Sequence, residues 1–176
     1  MYTEKQFEEK YQKYNQMVYN ICFSYLKNID NTNDALQEIF IRIYHLSKNL
    51  NDNEERYYIV RISINVCKDF LRKTKRKQSH ETTEIDVDQI GYSQTEDIDI
   101  FEYVRRLPQP YREVIILYYA NSMTYQDISK SIGISESNVR KRHERAIKKL
   151  RKIMEESDND VRNETQTNAI GGSENT

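Results

Sequence analysis

From Phe7 through Tyr11, Tyr14, Val18 and Ile21 to Tyr25, apolar side chains recur at alternating spacings of four and three. That interval confines the segment to a helix with one apolar stripe, which has to pack against a partner. The same period returns in Leu36, Ile39, Phe40, Ile43 and Leu46, and again in Ile59, Ile62, Val66 and Phe70. Only 4 Gly and 2 Pro punctuate the 176 residues, too little turn chemistry for a many-stranded sheet. The fold class is therefore all-α. Thr3 with Gln6 three residues on reads as a capping box at the head of the first helix. The Asn/Asp-rich stretch Asn28 to Asn33 ends that helix and caps the second, and a polar loop, Lys48 to Asn53, precedes a third helix over about Glu54 to Lys75. Residues 1–77 are thus expected to form a three-helix bundle.

From Gln78 to about Glu96 the periodicity vanishes. Gln78 to Glu102 holds eight acidic residues and no Lys or Arg, which predicts a flexible acidic linker over 78–97. A second small domain, 98–155, follows. Pro110 suits the first turn of a helix over Tyr111 to Ala120, and Thr124 with Asp127 caps a short helix, Tyr125 to Ile132. Gly133 then supplies a left-handed turn and Ser135 caps a last helix, Glu136 to about Met154. Two helices joined by Gly133-Ile134-Ser135 make a helix-turn-helix, with Ile128, Ile132, Ile134, Val139 and Ala146 spaced to seal the bend. The polar stretch 156–176, with Gly171-Gly172, is expected to be a disordered tail.

A formal net charge of −1 argues weakly against a nucleic-acid binder, yet the average conceals a pattern. Arg72 to Lys77 reads R-K-T-K-R-K, and Arg140 to Lys152 carries eight Lys and Arg against the single acid Glu144. Two basic patches flank an acidic connector, and the second lies on the helix that a helix-turn-helix offers to a major groove. Arg140, Lys141, Arg142 and Arg145 are its candidate DNA contacts. On the third helix Arg61, Asn65, Asp69 and Arg72 form a polar stripe beside the apolar one.

Other classes fare poorly. Cys22 and Cys67 are too few and too far apart in sequence for a metal cluster or disulfide framework, and each sits in an apolar helical pattern, so buried free thiols are expected. His45, His80 and His143 are scattered, and there is no Gly-rich phosphate loop, so neither an enzyme, a cofactor nor a metal is expected. The longest apolar stretch, about Val114 to Ala120, is far short of the roughly 20 residues that span a bilayer. A cytoplasmic protein with no membrane insertion follows as the expectation.

Several segments resemble the sigma-70 family of RNA polymerase sigma factors, in particular the compact extracytoplasmic-function group. Asp34-Ala35-Leu36-Gln37-Glu38-Ile39-Phe40 is similar to the family's D-x-x-Q-E-x-F. Tyr58-Ile59-Val60-Arg61-Ile62-Ser63-Ile64-Asn65 is similar to W-L-x-R-I-A-x-N, and Asp69 and Arg72 continue N-x-x-x-D-x-x-R. Leu107-Pro108, Arg112, Tyr125-Gln126-Asp127-Ile128-Ser129 and Val139-Arg140-Lys141-Arg142 resemble the second domain's L-P, R, Y-x-E-I-A and V-R-x-R. The resemblance runs from about Phe7 to Arg151, with the pieces in family order around the linker. Tyr57 and Tyr58 depart from it by standing where the family usually has Trp, and core packing is the favoured role for them.

The resemblance implies an alternative sigma factor with a sigma-2-like bundle and a sigma-4-like helix-turn-helix domain. Its implied partners are core RNA polymerase, promoter DNA and an anti-sigma factor, and it would act as a monomer on the polymerase. It implies polymerase docking through Asp34, Gln37, Glu38 and Phe40. The minus-ten element would be read by Arg61, Asn65, Asp69 and Arg72, and the minus-thirty-five element by Arg140, Lys141, Arg142 and Arg145. The loop matching Lys48 to Arg56 would capture a flipped base. Asp69 stays open between accepting from a cytosine and orienting a neighbouring Arg. A helix-turn-helix regulator binding DNA alone is the alternative, for which the second domain would suffice.

Overall fold

A computed structural model describes residues 2–46, 50–78 and 100–170, all of them helix, turn or connecting coil. Helix α1, Glu4–Leu26, starts at the expected capping box, in which Thr3 and Gln6 satisfy each other's backbone N–H. It stops at Lys27, whose φ of 54° is left-handed. The Asn28 side chain then accepts from the Asn31 N–H at 2.9 Å. Helix α2, Ile29–Tyr44, therefore begins inside the stretch expected to be a turn. One well-placed cap is enough to turn the chain, and Ile29 to Asn33 belong to the helix.

Helix α3, Asp52–Gln78, is longer than expected at both ends. Asn51 accepts from the Glu54 N–H at 3.0 Å while Glu54 accepts from the Asn51 N–H at 3.2 Å, a reciprocal cap two residues earlier than the sequence pattern suggests. Val18, Ile21, Ile39, Ile43, Ile59 and Val66, drawn from all three helices, are almost fully buried in the bundle core. Cys22 and Cys67 meet there as free thiols. A hydrogen bond between them and burial raise the Cys22 pKa, which keeps the sulfur protonated.

In the second domain α4, Ile100–Arg105, leads through Leu107-Pro108 into α5, Gln109–Ile115. Buried Arg112 ties the two, donating to the Arg105 carbonyl at 2.6 Å and to Gln109 Oε1. The helix expected over Tyr111 to Ala120 does not run through as α-helix, because Ile116–Ala120 widens into a π-turn. Helix α6, Tyr125–Ile132, has the predicted Thr124–Asp127 capping box and closes at Gly133, φ 72°. Helix α7, Glu136–Ile170, continues well beyond Met154. Part of the tail expected from residue 156 is thus drawn as helix, with no Gly or Pro before Gly171, and 171–176 lie outside the described residues. The linker expected at 78–97 lies, apart from Gln78, outside the described residues, as do Lys48 and Asn49 of the loop before α3.

The two domains share a core. Val114, Leu117, Met123, Ile128 and Val139 belong to the same buried cluster as the first-domain residues, while Val104, Leu107, Ile115, Ile116, Ala146 and Ile153 form a second cluster within the second domain. Helix α3 packs on α6, and α1 packs on α5 and the π-turn.

Candidate functional site

Three surfaces carry the side chains singled out by the sequence. On α2 Asp34, Gln37 and Glu38 are exposed on one face, and Glu38 is held by Arg42 at 2.7 Å one turn on. Phe40 does not share that exposure. It is 4% exposed, packed against Tyr11 at 4.7 Å between ring centroids and edge-on to Phe7 at 6.3 Å. The apolar feature this face does offer is a groove of about 680 Å³ between α1 and α2, where Phe40 forms part of the wall beside Gln37. Ile41, one residue beyond the Asp34 to Phe40 motif, stands 59% exposed at the same groove.

The second surface is the polar stripe of α3. Arg61, Asn65, Asp69 and Arg72 fall at helical spacing along one side, and Arg72 pairs with Asp69 at 3.1 Å. The first half of the stripe, though still exposed, borders the helix-turn-helix. Arg61 donates to the carbonyls of Lys130 at 2.9 Å and Ser131 at 3.4 Å, the C-terminal carbonyls of α6 that helix geometry leaves unpaired. Beside it a cleft of about 380 Å³ is bounded by Asn65 and Lys68 on α3 and by Glu113, Gly133 and Arg142 across the gap.

More bonds cross the same boundary. Tyr57 Oη donates to Asp127 Oδ1 at 2.6 Å, Asn20 Nδ2 to Asn121 Oδ1 at 3.2 Å, Tyr25 to Glu113, and Arg56 to the Asn121 carbonyl. Burial and the Glu113 carboxylate raise the Tyr25 pKa, so it remains a donor. At Asp127 burial works against ionisation, but bonds from Thr124 and Tyr57 outweigh it and hold the carboxyl below its ordinary value. Tyr57 thus packs partly on the core, as expected, and also reaches the cap of α6. Nothing in a one-dimensional pattern pairs residues 70 apart, and for that reason the clasp was invisible in sequence.

The third surface is α7. Arg140, Lys141 and Arg145 are exposed on its outer face. Arg142 points the other way, half-buried and 3.9 Å from Glu113, so the structure separates it from the other three. The bend between α6 and α7 is fixed by a side-chain bond to the backbone of the turn. Ser129 Oγ donates to the Ile134 carbonyl at 2.6 Å, where a small Ala would leave the turn untied. Among the described residues no group of three or more His, Cys, Asp or Glu is placed to hold a metal ion, and none of the helices there is long and apolar enough to cross a membrane.

Comparison with known proteins bears on these surfaces. The family description Sigma-70 region 2 matches residues 11–77, and Sigma-70, region 4 matches residues 98–150. The ECF RNA polymerase sigma factor SigM of Bacillus subtilis (strain 168) is 29% identical over 164 residues, covering 87% of this chain and 98% of its own. SigX of the same organism is 28% identical over 167 residues, covering 86% and 85%. Among solved structures, the sigma factor RpoE of Bartonella quintana, in complex with the anti-sigma factor NepR, superimposes with a TM-score of 0.69 at 20% identity over 86% of this chain and 98% of that one. CnrH, in complex with the cytosolic domain of CnrY, gives 0.64 at 18% identity over 87% and 90%.

Proposed function

The chain belongs to the sigma-70 family, as an alternative sigma factor of the extracytoplasmic-function type, and from that premise we propose how its surfaces divide the work of promoter-specific transcription initiation. The bundle, residues 1–77, docks on core RNA polymerase through the exposed face of α2. Asp34, Gln37 and Glu38 make the polar contacts, and the apolar groove walled by Phe40 receives the partner's side chains. Phe40 therefore shapes the docking face from beneath. The stripe Arg61, Asn65, Asp69 and Arg72 reads and melts the minus-ten element, with Asn65 and Arg72 able to reach base edges and Arg61 a phosphate.

Residues 98–155 read the minus-thirty-five element with Arg140, Lys141 and Arg145. Arg142 is turned instead toward Glu113, the carboxylate that accepts from Tyr25 across the domain boundary. The acidic connector, 78–97, joins the two readers. One observation carries this reading: two matched domains in one chain each present a basic or polar helical stripe of groove-reading chemistry. RpoE of Bartonella quintana, similar in fold, is bound by an anti-sigma factor, and an inhibitor of that class is a proposed partner here, in the cytoplasm where the polymerase works.

Two of the Arg61 guanidinium nitrogens are committed to α6 carbonyls, so opening the clasp between α3 and α6 would free its whole donor fork for DNA, and docking on the polymerase is the step that can hold the domains apart. A helix-turn-helix regulator acting alone would need no first domain of this kind and is not favoured. A gel shift with a promoter pool, run with and without core polymerase, tests the reading. A specific shift only when core enzyme is present is expected, whereas an equally specific shift by the isolated chain would favour the regulator.

A further inference from the structure

The Arg140 guanidinium lies over the face of the Tyr125 ring, 5.1 Å from its centroid. Tyr125 is the first residue of α6, and its place is fixed from three sides. The Thr124–Asp127 capping box pins its backbone. The Tyr118 ring stacks on it at 5.1 Å with 29° between planes. Its hydroxyl meets His143 Nδ1 at 3.2 Å. Tyr118 itself belongs to the π-turn, Ile116–Ala120, a distortion of the kind that recurs where side chains are aimed for function. The four groups form one unit, with Tyr118, Tyr125 and His143 mutually within 5.4 Å between ring centroids and Arg140 on its outer side.

Arg140 is nonetheless 58% exposed, and its other contact, Glu136 at 3.4 Å, is a solvent-facing pair one turn back on α7. Stacking on a ring leaves the edge of a guanidinium, with its N–H donors, free for a planar acceptor such as the O6/N7 edge of guanine. A long side chain that is already oriented loses less freedom when it binds. Among the described residues, no ring supports Lys141 or Arg145 on the same outer face in this way.

We infer that Tyr125 is a specificity-determining positioning residue, whose ring holds Arg140 in the orientation that reads one base of the upstream promoter element. The inference rests on α7 being the recognition helix. It separates Arg140, which discriminates, from Lys141 and Arg145, which position by charge. A structural role alone would lower binding to all sequences alike, while a positioning role lowers the preference at a single position.

The test uses full-length protein with core polymerase and a promoter pool randomised across the upstream element, with transcripts sequenced to give a preference profile. Arg140→Ala should erase the preference at one position. Tyr125→Leu should lower preference at that same position by about threefold, in keeping with the modest strength of an exposed cation–π contact. Tyr125→Phe, which keeps the ring and loses the hydroxyl, should retain it, and Tyr125→Leu added to Arg140→Ala should change nothing further. Melting curves check that each variant folds, and Tyr125→Gln, of similar reach without a ring, replaces Leu if that variant does not. Uniform loss over all positions with Tyr125→Leu, or an equal loss with Tyr125→Phe, would overturn the positioning role. If Arg140→Ala itself acts on all sequences alike, base reading by Arg140 fails, and the role of Tyr125 fails with it.

Discussion

Glu55 is the residue whose place could least be foreseen. In sequence it is one of several acids at the head of a helix, yet it is 2% exposed. It accepts from Tyr2 Oη at 3.0 Å, Lys10 Nζ at 2.7 Å and Tyr14 Oη at 2.9 Å. Three donors from the first fourteen residues thus converge on one carboxylate and fasten α1 to the start of α3. Burial, then the hydrogen bond to Glu55, pushes the pKa of Tyr2 and of Tyr14 up to about 12. Both hydroxyls therefore stay protonated and donating at any physiological pH. A buried carboxylate is tolerable only with such partners, and its removal strands a cation and two hydroxyls. Glu55→Ala should cost about 3 kcal/mol, read as a lower denaturation midpoint with an unchanged slope. A loss under about 0.5 kcal/mol, the level of an ordinary surface substitution, would show that the three contacts do not act together. The apolar stripe positions were legible because burial on a helix repeats every three to four residues. Glu55 was not, since its burial comes from partners that no local period reveals.

At the scale of elements, the caps and the turn of the helix-turn-helix were legible. Thr124, Asp127, Gly133 and Ser135 are turn and cap chemistry with fixed local geometry, and each occupies the role its type dictates. Gly133 at φ 72° has nothing within 4 Å of where a Cβ would stand. The cost of Gly133→Ala is therefore backbone strain alone, about 1–2 kcal/mol, and Gly133→Asn should cost less because Asn tolerates the left-handed region. Thermal melts of the two variants check the order, and an Ala variant as stable as Asn would contradict it. Element ends were read less well where a pattern weakens without a stop signal. Helix α7 outruns its apolar face because nothing in 156–170 breaks a helix. The π-turn in Ile116–Ala120 gives no sign in composition, since its residues are ordinary apolar and aromatic ones.

For the molecule as a whole, the period of the pattern marked a three-helix segment and a helix-turn-helix on either side of a gap, and the motifs marked candidate residues on each. How the domains meet was hidden, because contacts such as Tyr57 to Asp127 join residues whose local environments each look complete. The consequence is functional: Arg61 and Asn65, proposed readers of the minus-ten element, lie against the turn of the proposed minus-thirty-five reader. If reading requires the clasp to open, a covalent tie should abolish it. Tyr57→Cys with Asp127→Cys, joined by a short bismaleimide, should give a protein that forms no promoter complex with core polymerase, while the unjoined variant does. Equal complex formation by both would mean that the closed arrangement is compatible with reading. The central claim, that this chain directs core polymerase to promoters, is tested most directly by run-off transcription on fragmented genomic DNA with core polymerase alone and with the protein added. The account predicts that the protein creates a discrete set of RNA 5′ ends absent with core enzyme alone, preceded by two shared sequence elements at constant spacing. Transcripts that begin at the same scattered positions with and without the protein would contradict it.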